Sequence, residues 1–373
     1  MRRWYAAAAV LLLLAAGCSG DGSGDGSREP DGPTTGSGPT SAATDSPTGP
    51  VAGSPTGTAT AEPTAALLDW RPLGKPDSGT WTRGEDWTMR VADGGTSVRF
   101  DGPAAGGSYR PGPGRHVVDA FLDGDRAVLV SQDRLEEKPL DLVVLDLPSG
   151  DRVGRVTDPR PGTGGSVAYG EGTLVYSSFR PGGAFCLAAY DVEAGRGEKG
   201  YCAPRRHGFS NASISPAGTG LMTFDARRPV SCRTLTSVTG ATATPLPGVP
   251  DCKGWDVLLT DGGAVWSTVP KEQRVEAGQF YATTGDTVTA LGPGTTGTLL
   301  WCGDSAYFVR DAQKDLDKAR LMRWTPDGEL QVVYESSGEG EAFLAAPACA
   351  DGILTVRSFA EGGDEQVWAT APG

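Results

Sequence analysis

The stretch that decides the fold is Phe121-Leu122-Asp123-Gly124-Asp125-Arg126-Ala127-Val128-Leu129. Apolar residues run into an Asp-Gly turn and emerge as a second apolar run. This is a strong hairpin signal, because glycine supplies the positive φ that a two-residue turn needs. The same hairpin occurs at Trp81-Thr82-Arg83-Gly84-Glu85-Asp86-Trp87-Thr88-Met89, and again around Glu171-Gly172, Ala217-Gly218, Asp261-Gly262, Cys302-Gly303 and Asp351-Gly352. Counted from Gly84, these turns stand 40 to 49 residues apart. A second turn follows in most repeats, at Ser149-Gly150, Gly195-Arg196-Gly197, Thr239-Gly240, Gly285-Asp286 and Asp327-Gly328. The flanking runs, such as Leu142 to Leu147, Phe280 to Thr283 and Leu330 to Tyr334, are rich in β-branched and aromatic residues. Such runs favour strands. Two hairpins per repeat make a four-stranded antiparallel unit.

Self-similarity at this period points to an all-β fold of β-propeller type. From about residue 67 to residue 373 the chain resembles bacterial β-propellers of the broad YVTN or PQQ-like sort. The WD and GH signatures of WD-repeat blades are missing. Seven turns argue for seven four-stranded blades, with six or eight as the alternatives because the first repeat is the weakest copy. The last repeat has strands near Phe343 to Ala348, Ile353 to Phe359 and Gln366 to Thr370, one short of four. The segment Leu67 to Leu73 is the expected fourth strand, closing the ring from the N-terminus. A pair of β-sandwiches would not give this even spacing.

The N-terminus carries a different message. Arg2 and Arg3 precede an apolar run from Ala6 to Ala16, followed by Gly17 and Cys18. A basic start, a short apolar core and small residues before the cut describe a secretory signal peptide. The run is too short to span a bilayer core of about 30 Å. Cys18 directly after the small residues resembles the lipobox of bacterial lipoproteins, although Ala15 stands where that family prefers Leu. The resemblance implies cleavage before Cys18, a diacylglycerol on its thiol, and a chain held by acyl groups on the outer face of the cell membrane. An uncleaved anchor and an ordinary signal peptide are the competing readings. From Ser19 to Thr64 the chain is mostly Gly, Ser, Thr, Pro, Asp and Ala, with too little apolar surface to offset the entropy of ordering it. The expected arrangement is therefore a signal peptide over 1–17, a lipidated Cys18 with a disordered tether over 18–64, and a propeller over 65–373. As a flexible coil the tether would reach roughly 35 to 40 Å.

Of the seven cysteines, Cys18 is reserved for lipid, leaving Cys186, Cys202, Cys232, Cys252, Cys302 and Cys349. An even set in an exported protein suggests three disulfides, for which sequence alone allows 15 connectivities. The repeat frame favours sequential pairs. Cys186 and Cys202 flank one hairpin, and Cys302 and Cys349 precede the turns of successive repeats, which leaves Cys232 with Cys252. No CxxC or Cys/His cluster indicates a metal.

The formal net charge is −13 and becomes −15 once Arg2 and Arg3 are removed. An acidic chain is a poor nucleic-acid binder through its overall field. Catalytic signals are thin. His116 and His207 are far apart, and the folded part contains no HExxH, P-loop or GxSxG motif. Asp119 and Asp256 precede turns and fit either a channel lining or a buried hydrogen-bonded role. Asp311, Asp315 and Asp317 lack EF-hand spacing, and a short solvated helix with Lys314 and Lys318 accounts for them. Asn211-Ala212-Ser213 has the glycosylation form, which we discount for a bacterial export context. Loop length sorts the two ends of a propeller. The turns at one end are short, whereas the connections at the other are long and charged, including Arg134, Arg205, Arg206, His207, Arg227, Arg228, Lys271, Arg274 and Arg310. Function on a rigid scaffold tends to occupy such loops. The expectation is a monomeric binding or scaffolding module for a protein or glycan, without cofactor, metal or nucleic acid. The alternative is an extracytoplasmic hydrolase or lyase working at the channel mouth.

Overall fold

The computed structural model describes residues 58–74, 78–104, 106–180, 183–225, 232–270, 274, 277–312, 318–337, 342–360 and 363–373. Three short strands come first: β1 (Thr58–Thr60), β2 (Thr64–Ala65) and β3 (Arg71–Pro72). Four-stranded antiparallel units follow. The first is β4 (Thr80–Arg83), β5 (Thr88–Val91), β6 (Val98–Asp101) and β7 (Gly107–Tyr109). The second is β8 (Arg115–Asp123), β9 (Arg126–Asp133), β10 (Asp141–Asp146) and β11 (Arg152–Arg155). The third is β12 (Val167–Gly170), β13 (Thr173–Phe179), β14 (Phe185–Asp191) and β15 (Arg196–Cys202). The fourth is β16 (His207–Ser215), β17 (Gly218–Asp225), β18 (Cys232–Thr239) and β19 (Thr242–Pro245).

Two further units share a strand. After β20 (Gly254–Thr260), β21 (Gly263–Thr268) and β22 (Gly278–Thr284), the sixteen-residue β23 (Thr287–Cys302) pairs with β22 through its first half. Its second half pairs with β24 (Ser305–Arg310), which continues into β25 (Arg320–Trp324) and β26 (Leu330–Glu335). The last unit contains β27 (Phe343–Leu344), β28 (Ala348–Ala350), β29 (Ile353–Phe359) and β30 (Glu365–Thr370).

Burial follows the period of two. In β9, Ala127 and Leu129 belong to the apolar cluster shared with the first unit, while Val128 and Val130 belong to the cluster shared with the third. Leu174 and Tyr176 of β13 face back to that second cluster, and Val175 faces forward. Both faces of a central strand are therefore apolar, because side chains alternate across the sheet and each face meets a neighbouring unit. Apolar clusters of this kind join every consecutive pair of units from first to last.

The last and first units meet differently. Thr355 Oγ1 accepts the Arg83 N–H at 2.9 Å, and Arg357 donates to the Gly79 carbonyl at 3.1 Å. Asp351 accepts from the Glu85 N–H at 3.1 Å and the Gly124 N–H at 2.8 Å, linking turns of three units. Gly84 leaves room for this contact, since a Cβ there would lie 2.5 Å from an Asp351 carboxylate oxygen and would displace that side chain.

The N-terminal segment forms a strap. β1 pairs parallel with β23, β2 parallel with β26, and β3 antiparallel with β30. Trp70 packs edge-on against Tyr334 and donates to the Val333 carbonyl at 2.6 Å. Only Arg71–Pro72 of the expected Leu67 to Leu73 strand is a strand; Leu68 instead donates its N–H to the Val333 carbonyl. The expected tether also ends too late, because Thr58 to Thr64 carries β1 and the start of β2. Threonine-rich edge pairing works through backbone hydrogen bonds and leaves little trace in apolar composition. Cys18 and the rest of the tether lie outside the described residues.

The three disulfides join Cys186 to Cys202, Cys232 to Cys252 and Cys302 to Cys349. Cys186 and Cys202 are directly opposite in the β14–β15 register, as the hairpin argument expects.

Candidate functional site

The first strand of each unit, and in the last unit β28, contributes to one cavity of about 560 Å³. Its wall includes Thr80 and Thr82 of β4, Val117 to Leu122 of β8, Val167 to Tyr169 of β12, Ala212 to Ile214 of β16, Leu258 of β20, Leu299 to Trp301 of β23, and Ala348 and Cys349 of β28. Asp93 to Gly95, in the loop after β5, reach in from the side. Gly95 has φ +64°, and a Cβ there would stand 2.2 Å from the Val117 carbonyl oxygen. That turn can therefore press against β8 only with glycine at this position.

Several wall strands carry an interruption in register. β8 is interrupted between Val117 and Asp119, β16 between Ser210 and Ser213, β20 between Gly254 and Val257, and β23 between Thr295 and Leu300. Such bulges re-aim side chains and free backbone groups from the ladder. On one side of the cavity those groups are tied to the next wall strand. Ser166 Oγ accepts the Ala212 N–H at 2.7 Å, Asn211 donates to the Trp255 carbonyl at 3.0 Å, and Ser213 and Ser215 donate to the carbonyls of Val257 and Leu259. Asn211 is thus occupied inside the fold rather than presented in a loop.

Asp256 and Asp119 show what a bulge can do with a carboxylate. Asp256 is buried, accepts from Ser267 Oγ at 2.8 Å and from the Gly297 N–H at 2.9 Å, and ties β20 to β23. Desolvation pushes its carboxyl up to about 6, partly opposed by those two hydrogen bonds. It does not line the cavity. Asp119 does, and among the described residues it has no hydrogen-bond or ion-pair partner. Asp119 is exposed to the cavity, and crowding by the protein around its carboxyl pushes it up to about 6. Beside it, Tyr169 donates to Asp123, and desolvation followed by that bond raises its phenol well above the ordinary range.

The loop residues singled out in the sequence divide into four groups. Arg134, Arg205, Arg206 and Arg274 are exposed, all at the end of the units where second strands finish and third strands begin. His207 is half-buried, with Nε2 3.9 Å from Asp225. Arg227, Arg228 and Lys271 lie outside the described residues. Arg310 is a correction. It is buried and donates to the carbonyls of Leu291 at 2.7 Å and Pro293 at 2.8 Å. There β23 passes from one unit to the next, and the guanidinium satisfies carbonyls at that irregular stretch. Asp311 is likewise structural, accepting from Thr295 Oγ1 at 2.5 Å and the Leu344 N–H at 2.9 Å. Asp315, Asp317 and Lys314 lie outside the described residues.

The sequence missed an apolar component at the same end. Leu135 is 75 % exposed, Phe343 52 % and Phe179 44 %. Phe343 stacks on Phe359 with centroids 4.6 Å apart, and the Arg357 guanidinium lies 4.4 Å from the Phe359 centroid. Phe179 leans on Phe185, which stacks on Phe209.

No family model and no curated protein sequence matches the chain. Solved structures do match. The β-propeller domain of the Trilobed protease from Pyrococcus furiosus is 12 % identical with a TM-score of 0.54, covering 79 % of this chain and 97 % of that one. Oligogalacturonate lyase from Vibrio parahaemolyticus is 12 % identical with a TM-score of 0.50, covering 84 % of this chain and 99 % of that one. At this identity the likeness is one of fold, and the chain is a propeller-like all-β protein.

Proposed function

We propose that the protein is a binding or scaffolding propeller, held at the outer face of the cell membrane by lipid on Cys18, which captures a protein or glycan through the loop end of its blades. In this reading the units are seven blades, and β3 supplies the fourth strand of the last one. The observation that carries it is the asymmetry between the two ends. One end is made of tight glycine turns. The other combines exposed Arg134, Arg205, Arg206 and Arg274 with exposed Leu135, Phe179 and Phe343. Arginine and aromatic side chains together are the composition of binding hot spots, where guanidinium groups add polar contacts to apolar burial. Lipid anchoring would hold such a face near the envelope, and the Gly/Ser/Thr/Pro segment would give it reach.

The test is affinity capture from extracytoplasmic extracts with the mature chain and with a variant carrying Arg134→Glu, Arg205→Glu, Arg206→Glu and Arg274→Glu. The expected result is a specific partner retained by the first and lost by the second, with unchanged melting temperature. Equal capture by both would remove the loop end as the binding surface.

A further inference from the structure

We propose that the central cavity is a binding site for a small organic ammonium ion with an apolar body, with Asp119 as its counter-ion. This site is separate from the loop end and does not depend on it.

A volume of about 560 Å³ falls within the range that holds small ligands. The lining has one sign of charge. Asp93 and Asp119 contribute carboxylates, and among the described residues that form the wall there is no Lys, Arg or His. Water-excluding walls of one charge focus the field on an opposite ion. The rest of the wall mixes polar groups, among them Thr80, Thr82 and Ser213, with apolar patches that include Val118, Leu299 and the aromatic residues Phe121, Tyr169 and Trp301. Aromatic faces attract cations through their quadrupole, with no competing counter-charge.

The decisive feature is the isolation of Asp119. The comparable carboxylates near the wall, Asp256 and Asp311, each accept two hydrogen bonds from neighbouring strands. Asp119 accepts none among the described residues. Asp119 is exposed to the cavity without a partner among the described residues, and an ammonium ion there would supply an opposite charge and hydrogen-bond donors. The bulge at Val117–Asp119 interrupts the pairing of β8 with β9, and Val118 beside it is 42 % exposed although apolar. A carboxylate and an apolar side chain presented next to each other match the two parts of such a ligand.

The experiment uses three probes of similar shape, 2-phenylethylamine, 2-phenylethanol and 3-phenylpropanoate, titrated calorimetrically into the full mature chain at pH 7.5. The ammonium probe should bind one per chain and at least tenfold tighter than the alcohol, about 1.4 kcal/mol, with no binding of the carboxylate. Asp119→Asn should reduce amine affinity at least tenfold and leave alcohol binding unchanged. Val118→Trp, which fills the cavity beside Asp119 without touching its charge, should weaken both. Equal binding of amine and alcohol, preference for the carboxylate, no binding of the amine, or an amine affinity unchanged in Asp119→Asn would each overturn the proposal. If Asp119→Asn does not fold, the probe ranking and Val118→Trp decide it.

Discussion

The two sides of the cavity wall are held together by different means. From β12 through β16 and β20 to β23 and β27, neighbouring units are laced by the side chains of Ser166, Asn211, Ser213, Ser215, Asp256 and Asp311. Where the last, first and second units meet, the turn residue Asp351 bridges Glu85 and Gly124, and Thr355 and Arg357 of β29 reach Arg83 and Gly79 of the first unit. The laced side uses its polar groups to satisfy its own bulges. On the other side Asp119 has no hydrogen-bond or ion-pair partner among the described residues. A polar residue at a propeller axis is therefore structural or available according to whether a neighbouring bulge supplies it with a donor.

The largest expected effect breaks the side where the chain ends meet. A chain starting at Gly74 loses β1, β2 and β3 together with Leu68 and Trp70, which pack against the cluster of the last two units. Removing that apolar burial and exposing strand edges should cost roughly 5 kcal/mol or leave the protein insoluble. A chain starting at Thr58 should melt like the mature protein. Equal melting of the two shortened chains would show that the strap contributes nothing to closure.

A smaller effect is expected on the laced side. Asp256→Ala leaves the Gly297 N–H and the Ser267 hydroxyl without their acceptor, and should lose about 2 kcal/mol in denaturant unfolding, with Asp351→Ala losing about 1 at its more exposed position. A loss from Asp351→Ala that exceeded the loss from Asp256→Ala would reverse the comparison.

The smallest effect has the opposite sign. The Asp119 carboxyl is raised in the folded chain, so the folded state holds its proton more tightly than the unfolded state. That contribution is favourable below pH 3.8 and is lost as pH rises through about 6. Asp119→Asn should therefore be at least as stable as the parent at pH 7.5, and its advantage should shrink as pH falls from 6 toward 4. Thermal melts across that range check the sign.

Much of this architecture was legible in the residues themselves. Asp-Gly and Ser-Gly turns announce hairpins because their conformational demands are local, and the period they set also places Cys186 opposite Cys202. The wall was harder to read. Nothing in Val117-Val118-Asp119 marks a bulge, and the difference between Asp119 and Asp256 depends on Gly297, 41 residues beyond Asp256. Arg310 reads as a loop cation because the strand exchange that gives it carbonyl partners is tertiary. Thr58 to Thr64 reads as tether because its pairing rests on backbone alone.

The most direct measurement is a side-chain carboxyl titration by NMR on the mature chain, with and without 2-phenylethylamine. Asp119 should titrate near 6 in the free protein, and its apparent value should fall when the amine is added, while the Asp256 titration, also near 6, should not respond. An Asp119 that titrates near 4, or that ignores the amine while Asp256 moves, would contradict the division of the wall into a satisfied side and an available one.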